Sequence, residues 1–151
     1  MFKGHFRHSI DAKGRIAIPA RLKKYFKPEA ENSVVMTKGI GMDNVGHCVD
    51  VYPKDSWTEV ESKLQKLNPY NKNEQRFIRT ILYNAQEETM DNQSRVLIPQ
   101  HLIQHAGLDG EVLVIGVLDK IEIWNPETYE KYNQASPQSF EDIAETVMRE
   151  L

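Results

Sequence analysis

Two nonapeptides carry the side chains best suited to grip a polyanion. Residues 11–19 read DAKGRIAIP and residues 91–99 read DNQSRVLIP. Asp, Arg, Ile and Pro recur at identical spacing: Asp11/Asp91, Arg15/Arg95, Ile18/Ile98 and Pro19/Pro99. Ile16 and Val96 match in type, whereas Lys13 becomes Gln93, Gly14 becomes Ser94 and Ala17 becomes Leu97. Basic residues just after the first motif are lost in the same way: Arg21 becomes His101, Lys23 becomes Ile103 and Lys24 becomes Gln104.

Shared positions read as scaffold. Ile16/Val96 and Ile18/Ile98 suit a core strand, and Leu22/Leu102 suit a helix packed on it. Asp11 with Arg15, and Asp91 with Arg95, are spaced to pin each loop to its strand as ion pairs. Lys13, Arg21, Lys23 and Lys24 are basic in the first copy alone and are free to serve a ligand. An arginine fork reads guanine or phosphate in bidentate fashion, and a lysine makes a point contact on phosphate. Gly14 would let the entry loop lie close to a nucleic-acid backbone. Lys3, His5 and Arg7 precede the motif and extend the same strip. Arg15 itself has two readings, as a ligand contact or as the structural twin of Arg95.

Charge distribution points the same way. The net charge is −3, but residues 1–80 hold 15 basic side chains against 9 acidic, and residues 81–151 hold 4 against 13. Residues 1–28 contain eight basic side chains and one acid, Asp11. One basic face on an acidic body is a footprint of a polyanion-binding protein. The lone Cys48 excludes an internal disulfide framework and suits a reducing compartment. No apolar run approaches the ~20 residues of a membrane span, and Met1-Phe-Lys-Gly leads into no signal-type segment. A soluble cytoplasmic chain is expected.

Other chemistries fare worse. HLIQH (101–105) spaces two histidines as a zinc helix does, but position 102 is Leu where a general-base Glu would stand, and a third ligand is missing. GIGMDNVG (39–46) is glycine-rich but lacks the Lys-Ser/Thr of a phosphate loop and leads into a strand. It reads as a mobile hairpin connection. Cys48 sits inside an alternating strand, as a packed thiol would. No nucleophile-elbow signature is present. No catalytic residue, cofactor or small-molecule substrate is expected.

The motifs need elements to position them. Pro19 and Pro99 suit the first helical turn and bias Ile18 and Ile98 toward extended geometry, so each motif writes a strand running into a helix. Gly107 then Leu108 reads as a helix stop. Two extended segments follow each time: SVVMTK (33–38) and HCVDVY (47–52), then EVLVIGV (111–117) and IEIW (121–124). Each half is therefore β-α-β-β, too small to bury a good core alone, and two halves sharing one core is the economical solution. The fold class expected is α+β: a first repeat (5–52), a helical connector (53–82), a second repeat (83–126) and a C-terminal helical segment (127–151). Ser56-Trp-Thr-Glu59 reads as a capping box opening one connector helix, and residues 71–75 open a second. Ser136-Pro137 opens a C-terminal helix with an apolar stripe of Phe140, Ile143, Val147 and Leu151 and an acidic opposite face, expected to pack on its own domain, with packing on a partner subunit as the alternative.

The opening MFKGHFRHSIDAKGRIAIPARLKKYF resembles the start of the MraZ family, with its Met-Phe-x-Gly beginning and Asp-x-Lys-Gly-Arg-hydrophobic-x-hydrophobic-Pro signature. Order, spacing and duplication match across about 120 residues, with Gln93 and Ser94 departing from the pattern in the second copy. The resemblance implies two SpoVT/AbrB-type repeats sharing a barrel-like core. It implies a sequence-specific transcriptional regulator of a bacterial cell-division and cell-wall gene cluster, bound to double-stranded DNA in the nucleoid and assembled as a cyclic homo-oligomer. The DNA-contacting set would be Lys3, Arg7, Lys13, Gly14, Arg15, Arg21 and Lys24. AbrB-type barrels also neutralise protein toxins, so an antitoxin-like interaction module is the alternative; two halves and a helical C-terminus fit it less well.

Overall fold

The computed structural model describes the whole chain except residues 41–43 and 45. In chain order the elements are β1 (His5–Ser9), β2 (Arg15–Ala17), α1 (Ala20–Lys23), a 3-10 turn (Pro28–Ala30), β3 (Ser33–Lys38) and β4 (Val49–Pro53). Then come α2 (Lys54–Leu64), α3 (Lys72–Asn84), β5 (Gln86–Thr89), β6 (Arg95–Leu97) and α4 (Gln100–Ala106). β7 (Glu111–Val117), β8 (Lys120–Trp124), α5 (Pro126–Gln134) and α6 (Phe140–Arg149) complete the chain. The class is mixed α+β, with all strand pairs antiparallel.

Strand order shows how the repeat is used. The larger sheet runs β1-β7-β8-β4-β3-β5, and β2 pairs with β6 in a separate ribbon. Exchanging each strand for its counterpart in the other half reverses that order and leaves it otherwise unchanged. The opening strand of each half pairs with the other half, β1 on β7 and β5 on β3. A pseudo-two-fold axis passes between Asp50 and Glu122, which face each other across β4 and β8, and between Ile16 and Val96 across β2 and β6. Neither half holds its own opening strand.

Alternation in the central strands decides the two faces of the sheet. Val49, Val51, Ile121 and Ile123 point into one core with Ile16, Val96, Ile18, Ile98, Leu22 and Leu102. On the other face Tyr52 packs with Trp57 and Leu64 of α2 and Ile81 of α3, and Trp124 packs with Tyr129 and Tyr132 of α5. Each half thus closes its outer face with an aromatic and the helix after it.

Several boundaries differ from the sequence reading. Each half is β-β-α-β-β, because β1 and β5 precede the motifs. HFRHS and QEET form strands that are largely exposed edges, so they carry no apolar alternation to announce them. The helix after the first motif spans four residues only. α2 starts at Lys54 with Pro53 at its N-cap, so Ser56 lies inside the helix and no capping box forms. Asn71 does cap α3, accepting from Glu74 N–H. α5 was not foreseen; Asn125 caps it, with Pro126 at the first position. The final helix is capped by Ser139, not opened at Ser136-Pro137. Its stripe does not pack on its own domain: Phe140 (78 %), Val147 (51 %) and Leu151 are exposed and Ile143 is barely covered. Half of the GIGMDNVG connection, and with it the expected mobile hairpin, lies outside the described residues. No helix among the described residues is long and apolar enough to cross a membrane.

Candidate nucleic-acid interface

Each motif loop is closed by its aspartate. Asp11 Oδ1 accepts from Lys13 N–H and Arg15 N–H, both at 2.9 Å, and Oδ2 accepts from Arg15 Nε at 2.8 Å. The second copy repeats this: Asp91 Oδ1 accepts from Gln93 and Arg95 N–H at 2.9 Å, and Oδ2 from Arg95 Nε at 2.8 Å. Backbone N–H donation, above all from Arg15 and Arg95, holds both aspartates below the usual carboxylate range. Both expected ion pairs are present, and both arginines are equally exposed at 31 % and 30 %.

The loops also cross. Ile18 N–H donates to Ser94 O, and Ile98 N–H donates to Gly14 O, each at 2.9 Å. Between them the β2–β6 register sets Arg15 opposite Leu97, Ile16 opposite Val96 and Ala17 opposite Arg95. Opposed residues share a face of an antiparallel pair. Ile16 and Val96 are buried in the core, so Arg15, Ala17, Leu97 and Arg95 stand on the outer face. The two arginines lie on one diagonal, roughly 7–8 Å apart at the backbone. Each is anchored through Nε, and among the described residues no partner is recorded for its terminal Nη groups. A guanidinium pinned on one side presents its remaining donors with little entropy left to lose.

The sequence-predicted residues are not all brought together. Lys13 is exposed on the first loop, in an open hollow with Asp11, Gln100 and Ile103 of α4 and Asp109. Gly14 is buried, takes φ +84°, and an added Cβ would stand 3.1 Å from Ile103 Cδ1. Its missing side chain lets the loop pack closely on α4. Arg21 and Lys24 are exposed on and just after α1, which leaves the ribbon beside the second loop because Ile18 bonds Ser94. Lys24 lies over its neighbour Tyr25, and Lys23 over Phe26. Lys3 sits away from the ribbon, its backbone against Gly116. Arg7 stands apart too: it pairs with Glu111 at 2.7 Å, and the hollow it lines also holds Asp109, Glu127 and Glu130.

Arg95 and Leu97 were not foreseen on the same face as Arg15. The signal was available, since two antiparallel copies of one motif put their arginines on one side of a ribbon. A buried charge cluster at the pseudo-two-fold was also missed. Lys120 Nζ lies 2.9 Å from Asp50 Oδ2 and 3.2 Å from Glu122 Oε2. Ile40 N–H also donates to Asp50, and Trp124 Nε1 to Glu122. Burial lifts Asp50 to about 6 against the pull of Lys120, and burial pushes the Cys48 thiol and the Tyr52 phenol far up from their ordinary values, so both stay protonated. Cys48, Asp50 and Glu122 are close enough to share an ion, but Lys120 already supplies the cation between the two carboxylates.

The histidines of HLIQH are engaged separately. His101 Nε2 lies 3.2 Å from Asn84 O, and His105 stacks on His47 at 4.9 Å. Burial, with Lys38 and His47 nearby, lowers His105 to about 4, so its ring is neutral near pH 7.

A family model described as "MraZ protein, putative antitoxin-like" matches the chain twice, over residues 1–80 and 81–150. The chain is 40 % identical over 149 residues to the transcriptional regulator MraZ of Desulforamulus reducens, covering 98 % of both chains. It is 42 % identical over 144 residues to that of Alkaliphilus metalliredigens, covering 95 % of this chain and 94 % of the other. It is also 40 % identical over 145 residues to that of Clostridium tetani, covering 96 % and 95 %.

Proposed function

This chain belongs to the MraZ family, and from that membership we propose that it is a transcriptional regulator that binds double-stranded DNA with the outer face of the β2–β6 ribbon. The observation that carries this is the pair of aspartate-anchored arginines, Arg15 and Arg95, on one exposed face. A major groove admits a two-stranded ribbon, and an arginine fork matches guanine O6 and N7. Lys13 at one end, with Arg21 and Lys24 at the other, supplies phosphate contacts that fix register. Arg7 and Lys3 are the weakest members of the set, the first because Glu111 already neutralises it.

The two SpoVT/AbrB-like repeats (5–52 and 83–126) share a barrel-like core in this reading, with the connector (53–82) and C-terminal segment (127–151) outside it. Several copies arranged in a ring present the ribbons in series, and linked weak contacts gain through effective concentration. The targets are repeated sites upstream of the protein's own gene, in a cell-division and cell-wall cluster, and the protein works in the cytoplasm at the nucleoid. The relatives' names describe regulators, not enzymes, and we assign no reaction, cofactor or small-molecule substrate.

The test is gel retardation of DNA from the gene's own upstream region, across a salt series and with or without chelator. Retardation that weakens by roughly 0.9 in log affinity per phosphate contact for each unit of log salt, and ignores chelator, is expected. A folded protein that leaves the fragment unshifted at low salt would overturn the reading in favour of an antitoxin-like module, which holds a protein and not DNA.

A further inference from the structure

Two apolar surfaces stand open to solvent among the described residues. The first is the stripe of α6: Phe140, Ile143, Val147, Met148 and Leu151 recur at helical spacing and are all exposed. The second is a groove of about 360 Å³ between α2 and α3, rimmed by Glu61, Gln65 and Gln75. Its floor is the outer side of Leu64, Leu67 and Ile78 of the helix-covered core, and its open apolar edge is Leu82, 44 % exposed. Apolar surface of this extent on a folded chain marks an interaction site.

Charge tells the two surfaces apart and matches them to each other. The segment 126–151 carries six acids against two bases, and Glu141, Asp142, Glu145 and Glu150 flank the α6 stripe. The segment 54–84 carries six bases against four acids, and Lys63, Lys66, Lys72, Arg76 and Arg79 are all exposed. Among the described residues none of these five cations has a recorded ion-pair partner. Arg76 and Arg79 line a second hollow beside the groove, with Tyr70 and Lys72. An acidic helix is repelled by an anionic bilayer, so a lipid surface is the wrong occupant for the stripe.

We propose that α6 of one copy lies in the α2–α3 groove of the next copy, its stripe on Leu82 and the exposed sides of Leu67 and Ile78, and its acids toward Lys72, Arg76 and Arg79 of the adjoining hollow. Ridge and groove are different surfaces of one chain, so the contact is heterologous and head-to-tail. Every copy then offers one ridge and one groove, and only a closed ring leaves neither exposed. This rests on the ring in the preceding reading and supplies its interface.

Phe140→Asp spoils the ridge and Leu82→Glu spoils the groove; both residues are exposed, so both variants are expected to keep the wild-type fold, checked by circular dichroism. Light scattering is expected to show each variant alone near the 17.5 kDa of one chain. Mixed one to one, they retain one intact ridge and one intact groove, and are expected to form a dimer of about 35 kDa, twice that mass, and nothing larger. Wild-type assembly of either variant alone would overturn the proposed contact while leaving the ring standing. A mixture that stays monomeric would replace the head-to-tail contact by a symmetric one. A monomeric wild-type chain would remove the ring and the contact together.

Discussion

In the first repeat Asp11 holds Arg15 Nε at 2.8 Å, and in the second Asp91 holds Arg95 at the same distance, with matching backbone donors around each carboxylate. Around those twin frames the chemistry diverges. The first loop offers Lys13 and turns on a buried glycine; the second offers Gln93 and turns on Ser94, a non-glycine residue at φ +58°. Duplication kept what closes the loop and released what points away from it. The same holds at the pseudo-two-fold, where Asp50 faces Glu122 but Cys48 stands where the second repeat has Lys120. Only one lysine is needed there, because one ammonium bridges both acids.

The largest effect is expected at that shared centre. Lys120→Met would leave two buried carboxylates facing each other without a cation, and removing one member of a buried charged set costs about 3–5 kcal/mol. Cys48→Ala, at the equivalent position, removes one buried sulfur from beside Trp124 and Leu113 and should cost well under half of that. Urea unfolding of the two variants measures the contrast. Equal losses would mean that Lys120 contributes packing and not charge.

The same centre gives a pH dependence with a definite sign. Asp50 is raised to about 6 in the folded chain from 3.8, mainly by burial. The folded state therefore holds this proton more tightly than the unfolded chain does. Stability from Asp50 is fully present below about pH 4 and is lost as pH rises through about 6. Asp11 and Asp91 have the opposite sign, because their values are lowered: their contribution is present above 3.8 and lost on further acidification. Asp50→Asn should flatten the melting-temperature profile between pH 4 and 6.5, and an unchanged slope there would show that another group titrates.

Next in size is the arginine pair. Arg15→Ala is expected to weaken DNA binding by about 1–3 kcal/mol per subunit, the value of a bidentate base contact. Arg95→Ala should lose less, because Gln93 and Ser94 beside it add no charge to help it. Both should lower the melting temperature alike, since their ion pairs are equal. Binding isotherms showing equal losses would make the ribbon face symmetric, and unaltered affinity in both would remove the ribbon from the interface.

A smaller effect separates the two turns. Gly14→Ala forces a side chain into left-handed geometry and against Ile103, costing about 1–2 kcal/mol. Ser94→Gly relieves the same geometry and should be neutral or stabilising by a few tenths. Thermal melts with the two variants moving in the same direction would contradict the strain argument.

Much of this is legible in the sequence. The motif pairs, the ion pairs, the core positions and the central strands follow from residue type and period, because burial imposes alternation. β1 and β5 were not legible, since edge strands need no apolar pattern when the neighbouring strand supplies the hydrogen bonds. The α6 stripe was read correctly as apolar, but a stripe does not say which chain covers it. The Asp50–Lys120–Glu122 cluster was signalled by acids inside CVDVY and IEIW, yet only strand pairing puts them opposite each other. Arg7 shows the reverse failure. Charge asymmetry in sequence placed it with the basic strip, and the β1–β7 register set it beside Glu111 instead.

The finest contrast is between Lys13 and Gln93, and it can be run in both directions. Lys13 is exposed and its backbone N–H is held by Asp11, so a solvent-accessible ammonium is carried on a fixed loop. That suits a phosphate contact, which strengthens binding on every sequence and adds about one to the salt slope. Lys13→Ala should then lower affinity for target and unrelated DNA by the same factor, severalfold at most, and flatten the slope by roughly 0.9. Gln93 occupies the same place on the second loop, with its N–H on Asp91. If the second loop lies over the DNA as the proposed interface has it, Gln93→Lys should steepen the slope by a like amount and tighten binding on all sequences. A salt slope unmoved by Gln93→Lys, alongside one flattened by Lys13→Ala, would mean that the ribbon meets DNA at the first loop's end only. The tilt of the ribbon on the duplex would then be set by the repeat that kept its lysine.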